Sequence, residues 1–295
     1  MTGILLVDKP EGTTSAGVIR ALKPRLGRTK VGHLGTLDPF ASGLLPLCLG
    51  EATKVARYLL IESKAYTGAI RLGKATDTLD RAGTCVETAP VPPLEQPRID
   101  AVAAEFTGRR RQVPPMYSAL KRGGVPLYKL ARQGIEVERA PRDVEITRLS
   151  LVLRSPTEIE FAVECSKGTY VRVLAAEIGQ ALGTVAHLER LRRTRVGSFA
   201  VEDAMPLAAL QELPPTARLP LVAVRAGLAG YPAFQAPAES LVRLRRGQQD
   251  PLTRLPAPDA TGQTALVVDA SGNVAAIIEA AGDRPTWRLV RLLAV

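Results

Sequence analysis

Apolar residues fall in short runs along the chain, and their spacing switches between a period of two and a period of three to four. Residues 4–8 (ILLVD) form a short apolar run closed by Pro10 and Gly12, which predicts a buried strand. Ser15 then offers a cap for a helix expected to stop near Lys23-Pro24, because a residue before proline is pushed out of the helical region. Residues 27–43 are rich in Gly, Thr, Asp and Pro with little apolar periodicity, and predict a long loop of the kind that often carries function. Residues 51–60 (EATKVARYLL) put Ala52, Val55, Ala56, Leu59 and Leu60 on one helical face. Residues 64–73 (KAYTGAIRLG) read as a strand, 88–97 as a linker with four prolines, and 99–106 as a short helix. A helix around 127–132 is closed by Gly134. Residues 144–154 and 158–165 read as paired strands, with Ile159, Phe161, Val163 and Cys165 alternating with polar neighbours. Residues 170–182 form a helix closed by Gly183, and 186–199 a basic extended segment.

The Pro-rich stretch 210–220 (LQELPPTARLP) reads as an interdomain linker, dividing the chain into units at 1–212 and 219–295. In the second unit, 265–269 and 274–279 flank Ala-Ser-Gly-Asn, a hairpin signal, and 288–295 is a final strand. This tail is expected to be a small β-rich barrel or sandwich.

Length and composition agree with two domains: 295 residues, 46% of them apolar, are enough for a real core. The formal net charge of +10 favours polyanionic partners, nucleic acid or an anionic membrane surface, although an ordinary basic enzyme has the same composition. Arg outnumbers Lys. Arginine grips phosphate bidentately and stacks on bases, yet a skewed genome composition also enriches it. Cys48, Cys85 and Cys165 form no C-x-x-C pair, and two histidines are too few for a His-built metal site. The opening MTGILLVDKP carries an acid and a proline where a signal peptide needs an unbroken apolar stretch, and no run reaches the length of a membrane span. A soluble cytoplasmic protein is the expectation.

The most informative segment is 32–43, GHLGTLDPFASG: three glycines and one carboxylate, with a proline directly after Asp38. Asp-Pro by itself is common in turns, so Asp38 alone has a structural explanation. The whole segment resembles the catalytic loop of the TruB family of tRNA pseudouridine-55 synthases, without a gap. Other blocks resemble the same family in order: Leu6-Val7-Asp8-Lys9-Pro10 with Gly12 and Ser15; Leu47 to Lys54 (LCLGEATK); Tyr66 with Arg71-Leu72-Gly73 and Thr76-Asp77-Thr78; Pro115 to Lys121 (PMYSALK) with Ala131 to Gly134 (ARQG); Cys165 to Arg172 (CSKGTYVR); and Leu191-Arg192-Arg193. The likeness covers residues 4 to about 199, and the tail beyond 220 matches only loosely.

The resemblance implies an α+β fold: a mixed, largely antiparallel central sheet with flanking helices, plus a small β-rich, PUA-like RNA-binding domain at the C-terminus. It implies isomerisation of uridine-55 in the T-arm of tRNA, by a monomer, with no cofactor, no metal, no membrane and no guide RNA. Asp38 is implied as the catalytic carboxylate and Arg172 as the cation that keeps it ionised. Tyr66 and Tyr170 are implied to contact the flipped base, with Tyr66 also placed to handle the C5 proton. His33 is implied to help displace the uridine, Leu191 to line the pocket, and Lys9 and Lys54 to stand near the site. The chemistry is coherent: cutting the bond from C1′ to N1 and rejoining the uracil through C5 is redox-neutral and needs an ionised carboxylate. A base inside the stack must be everted and given an aromatic face.

Each residue also has an ordinary reading: Arg172 as a surface arginine near a helix start, the tyrosines and Leu191 as packing residues, the lysines as solvated, and His33 as a turn residue. Arg109 to Arg111, Arg190, Arg192, Arg193 and Arg195 are candidates for holding phosphates, or simply solvated charge. The route of Asp38, by C6, C1′ or a glycal, stays open. Two other functions fit the composition: an RNA-folding factor for which catalysis is secondary, and a sister enzyme acting on ribosomal RNA within a guide ribonucleoprotein. The short chain and the absence of basic tails argue against the second. Residues 68–75 (GAIRLGKA) nearly spell a P-loop, but the Ser or Thr after the lysine is missing and the run lies within a strand pattern.

Overall fold

The computed structural model describes residues 1–283 and 285–294. Its largest element is an eleven-stranded mixed sheet with eight strands on its main path. In order these are Met205–Pro206, Gly3–Lys9, Ser42–Leu49, Ala186–Val196, Lys64–Leu72, Glu158–Cys165, Arg142–Ser155 and Gly108–Gln112. Neighbours on this path are antiparallel except at two places, where Gly3–Lys9 meets Met205–Pro206 and where Ala186–Val196 meets Ser42–Leu49. A separate four-stranded sheet, Ala233–Gln235, Thr264–Val268, Val274–Ala281 and Thr286–Leu292, forms the β-rich tail. The expected fold class is therefore what the chain adopts.

The N-terminal half shows why residues 4–8 are apolar without alternation. Leu5 and Val7 pack with Val18, Leu22 and Leu26 of the helix Ser15–Leu26 on one face, while Ile4 and Leu6 pack with Val55, Tyr58 and Leu59 on the other. A strand covered on both faces needs apolar side chains at every position. Leu266, Val268, Val274 and Ile277 of the tail sheet complete that second cluster, so the tail shares a core with the N-terminal half. Polar ties cross the same seam. Tyr58 Oη donates to Glu279 at 2.8 Å, Lys54 Nζ reaches the Leu292 carbonyl at 3.0 Å, and Tyr231 packs edge-on against Tyr58.

The other half alternates as expected. Tyr66, Ile70, Ile159, Phe161 and Val163 face a core with the helices Gln96–Phe106 and Val171–Ala181. The two halves meet at a narrow waist, where only Arg192↔Ser42 and Arg193↔Gly43 are paired. Gly43 has φ +102°, and a Cβ there would stand 2.3 Å from the Arg193 carbonyl oxygen, so this junction requires glycine. Gly68 is a second close approach: its Cβ would lie 2.1 Å from the Arg190 carbonyl and 2.8 Å from the Phe161 ring. Gly68→Ala is expected to lower stability by about 2 kcal/mol or more through overpacking, read as a lower urea midpoint.

Several boundaries differ from the sequence reading. Thr14, not Ser15, caps the first helix by accepting from Gly17 N at 2.8 Å, and the helix runs through Pro24 to Leu26. Pro24 lies inside the helix and leaves the Arg20 carbonyl without the N–H that position would otherwise supply. Within the expected loop 27–43, Val31–His33 forms a short strand against Ser42–Leu49. Residues 51–60 are split into a 3₁₀ turn, Gly50–Val55, and a short helix, Ala56–Leu60, with Leu60 exposed. Gln96–Phe106 starts inside the proposed linker because Pro97 sits in the first helical turn, where its missing N–H costs nothing. Residues 210–212 are not linker: Leu207–Glu212 is helical and Leu210 is fully buried. Leu221–Val222 still pairs with Gly3–Lys9, beyond the expected start of the tail at 219. The last strand is Thr286–Leu292; Val295, part of the expected final strand, lies outside the described residues.

Candidate active site

A cavity of about 340 Å³ opens at the waist of the large sheet. It is lined by the loop Gly35 to Asp38, by Tyr66 and Leu191 of adjacent strands, and by Ser118 to Leu120 and Gly168 to Arg172. The loop is polar at its surface but anchored from below. Leu34, Leu37, Phe40 and Ala41 are all buried. Ser15 Oγ accepts from Leu37 N at 2.9 Å and donates to Leu37 O at 3.2 Å, gripping both backbone groups next to Asp38. Lys9 is fully buried, and its Nζ donates to the carbonyls of Pro10 and Thr13 and reaches that of Pro39 at 3.4 Å. Burial lowers its pKa to about 8.

Asp38 and Arg172 meet on the cavity floor. Arg172 Nε stands 2.9 Å from Asp38 Oδ2, and Nη2 is 3.4 Å from Oδ1. The Nε contact lacks hydrogen-bond alignment, leaving that donor unsatisfied. The guanidinium is buried, whereas the Asp38 side chain is 34% exposed through the cavity mouth. Arg172 is fixed on its far side by the carbonyls of Thr78 at 2.8 Å and Tyr117 at 2.7 Å, and by Asp80 at 3.6 Å. Asp80 is itself buried and accepts from Thr78 Oγ1 and Ala82 N. Burial raises the Asp38 pKa; the Arg172 charge opposes the rise and the nearby Asp80 adds to it.

Tyr66 lines the same cavity as Asp38 and is buried. Tyr170 is half-buried at the start of the helix Val171–Ala181, and its backbone N and O are both held by Gln112. Leu191 is buried in the cavity wall. His33 precedes the lining residues by two positions, and burial together with Arg193 lowers its pKa. Lys54 is not brought to the cavity: its Nζ pairs with Glu51 at 2.6 Å and bridges to the tail.

Most of the candidate phosphate-holding arginines are already engaged. Arg192 forks onto Asp8 at 3.0 and 2.7 Å, Arg190 pairs with Glu158 at 3.1 Å, and Arg195 pairs with Glu164 at 2.8 Å. Arg110 lies over the Phe106 ring, while Arg109 and Arg111 are exposed opposite Glu145 and Asp143. Arg193 is not a surface cation at all. It is 1% exposed, and its guanidinium holds the carbonyls of Leu44, Gly35 and Thr36 beneath the Asp38 loop.

The sequence reading missed Asp80, Lys64 and the buried state of Arg193. Lys64 and Arg193 had a signal: each occupies a core-facing position, in register with Tyr66 and Leu191, where the alternation calls for an apolar residue. Asp80 had none, since its partner Arg172 comes from a segment ninety-odd residues away.

Residues 23–171 match the TruB family pseudouridylate synthase N-terminal domain, and residues 172–217 match the tRNA pseudouridylate synthase B C-terminal domain. The chain belongs to the TruB family. Among its relatives, tRNA pseudouridine synthase B of Burkholderia lata is 46% identical over 91% of this chain and 84% of its own length. The protein of the same name from Psychrobacter cryohalolentis is 48% identical over 72% of this chain, which spans 61% of that relative's length. An H/ACA RNP solved with a substrate RNA containing 2′-deoxyuridine shares the fold, with a TM-score of 0.74 at 22% identity, over 99% of this chain and 85% of the other. In this TruB-family chain, the loop that carries the family resemblance is the one that bears Asp38. Among the described residues, no helix is long and apolar enough to cross a membrane.

Proposed function

We propose that this chain isomerises uridine-55 of the tRNA T-arm to pseudouridine, with Asp38 as its catalytic carboxylate. The observation that carries this reading is the Asp38–Arg172 pair at 2.9 Å on the floor of an open cavity, in a chain 46% identical to a tRNA pseudouridine synthase B. The everted uridine enters between Tyr66 and Tyr170, with Leu191 as the wall. Asp38 meets the junction of sugar and base, either bonding to the substrate or stabilising positive charge at C1′ as the C1′–N1 bond opens. Tyr66 takes the proton from C5 once the base has rejoined. Arg172 keeps Asp38 anionic while burial works against it. The β-rich tail acts as a PUA-like RNA-binding unit, and exposed arginines such as Arg109 and Arg111 contact phosphates. The protein works as a monomer in the cytoplasm without a guide RNA.

The test is incubation of the purified chain with unmodified tRNA transcript and with an isolated T-arm stem-loop, followed by carbodiimide mapping. Pseudouridine at position 55 of both RNAs supports the reading; product at no position, or only when a guide RNA is added, overturns it.

The raised Asp38 pKa predicts the pH response. Only the ionised form works, so the single-turnover rate falls as pH drops through a limb that lies above the ordinary aspartate value of about 3.9. The same group works against stability. The folded state holds the proton more tightly than the unfolded chain, so the Asp38 contribution falls as pH rises from the unfolded value through the folded one. An acid limb at or below the ordinary value would contradict this environment.

A further inference from the structure

Arg193 is a wholly buried cation that makes no ion pair among the described residues. Placing a charge in such a position is costly unless something anionic answers it. Its three carbonyl partners, Gly35 and Thr36 in the Asp38 loop and Leu44 on the strand after it, supply only dipoles. The strand register puts Arg193 directly opposite Tyr66 on the antiparallel pair, so the two side chains leave the same face about 5 Å apart and both line the cavity. Across this pairing the guanidinium charge favours phenolate at Tyr66, against the effect of burial. Lys64, also buried and also lining the cavity, stands two residues before Tyr66 on the same face, with its Nζ tied to the carbonyls of Leu60 and Glu62.

We infer that Arg193 is a positioning residue: it fixes the Tyr66 phenol at the back of the cavity and supplies the charge that lets the phenol oxygen accept the C5 proton. This inference rests on the proposed isomerisation and goes beyond it by assigning how an ordinarily weak base is made competent. Burial alone pushes the phenol the wrong way, since the apolar core around Tyr66 disfavours phenolate. The arginine charge acts in the opposite direction.

The step balances without an outside reagent. When the uracil has rejoined ribose through C5, that carbon bears both the new C1′–C5 bond and its original hydrogen. The phenolate oxygen takes the hydrogen as a proton, and the C–H electron pair returns to the ring π system. The proton lost when the phenol ionised returns through solvent to N1, which ends the reaction carrying one.

The experiment compares wild type, Arg193→Gln and Arg193→Lys on a T-arm transcript carrying either 5-hydrogen or 5-deuterium at uridine-55. Gln keeps a donor for the loop carbonyls but loses the charge; Lys keeps the charge but loses the fork. Arg193→Gln is expected to slow pseudouridine formation about 10²-fold, within the range of a lost acid–base contribution. It is also expected to raise the 5-deuterium isotope effect above the wild-type value and to move the pH–rate profile upward. Arg193→Lys should restore the wild-type isotope effect. A slowed Arg193→Gln protein with an unchanged isotope effect and pH profile would mean that Arg193 only braces the loop, and would overturn the inference.

If Arg193→Gln does not fold, 3-fluorotyrosine at position 66 in the otherwise wild-type chain gives the answer. A more acidic phenol should move the pH–rate profile to lower pH, and an unmoved profile overturns the inference. Failure of the functional reading is told apart because it appears as no pseudouridine from wild type itself.

Discussion

Asp38→Asn is expected to abolish pseudouridine formation, by more than about 10³-fold in single turnover, while leaving T-arm affinity within a few-fold of wild type. The amide is isosteric, so the cavity and its lining survive. What disappears is the negative charge that faces the sugar–base junction. Arg172 remains anchored by two carbonyls and by Asp80, so the variant keeps its fold. Loss of a desolvated carboxylate, whose ionisation burial disfavours, does not lower the melting temperature by more than a few degrees. Filter binding, product mapping and a thermal melt on one preparation check all three. Product at the wild-type rate would remove Asp38 from the chemistry. The same variant tests the RNA-folding alternative, because equal acceleration of tRNA refolding by wild type and Asp38→Asn would show a catalysis-independent activity.

Arg172→Met is expected to fail in two ways. The buried Asp80 carboxylate and the carbonyls of Thr78 and Tyr117 lose their shared partner, which should cost on the order of 3 kcal/mol, because removing one member of a buried pair strands the other. Asp38 loses the cation that opposes the effect of burial, so the acid limb of the pH–rate profile climbs and the rate at neutral pH falls, by about 10²-fold or more. The double variant Asp38→Asn with Arg172→Met should be little slower than Asp38→Asn alone, since the pair acts as a unit. Additive losses would show that Arg172 acts on the substrate independently of Asp38. Arg172→Lys should keep the charge but fail to reach Asp38, Thr78 and Tyr117 together, giving an intermediate rate.

How much of this was legible in the sequence depends on the range of the interaction. Strands such as 158–165 could be read because burial on one face imposes strict alternation, and the tail hairpin because Ser-Gly-Asn fixes a turn locally. The Asp38 loop was legible as a motif but not as an object. Nothing local says that Ser15, Lys9 and Arg193, brought in from three separate segments, hold it from below. A hydroxyl near a helix start normally serves as its cap, but here Thr14 takes that role and frees Ser15 for Leu37. The proline-rich run at 210–220 suggested a break in the fold, yet the helix Leu207–Glu212 packs into the core, since prolines after residue 213 do not prevent burial before it. Lys54 followed the motif to the wrong place: it lies on a 3₁₀ turn that points toward the tail.

The cluster shared by Val55, Tyr58, Leu59, Leu266, Val268 and Ile277 has an evolutionary consequence. A tail joined by a flexible tether could drift, be exchanged or be lost without the rest of the gene responding. Here a bulkier side chain at 277 has to be matched by a slimmer one elsewhere in the cluster, so the segments around residues 55–59 and 266–277 are bound to change together.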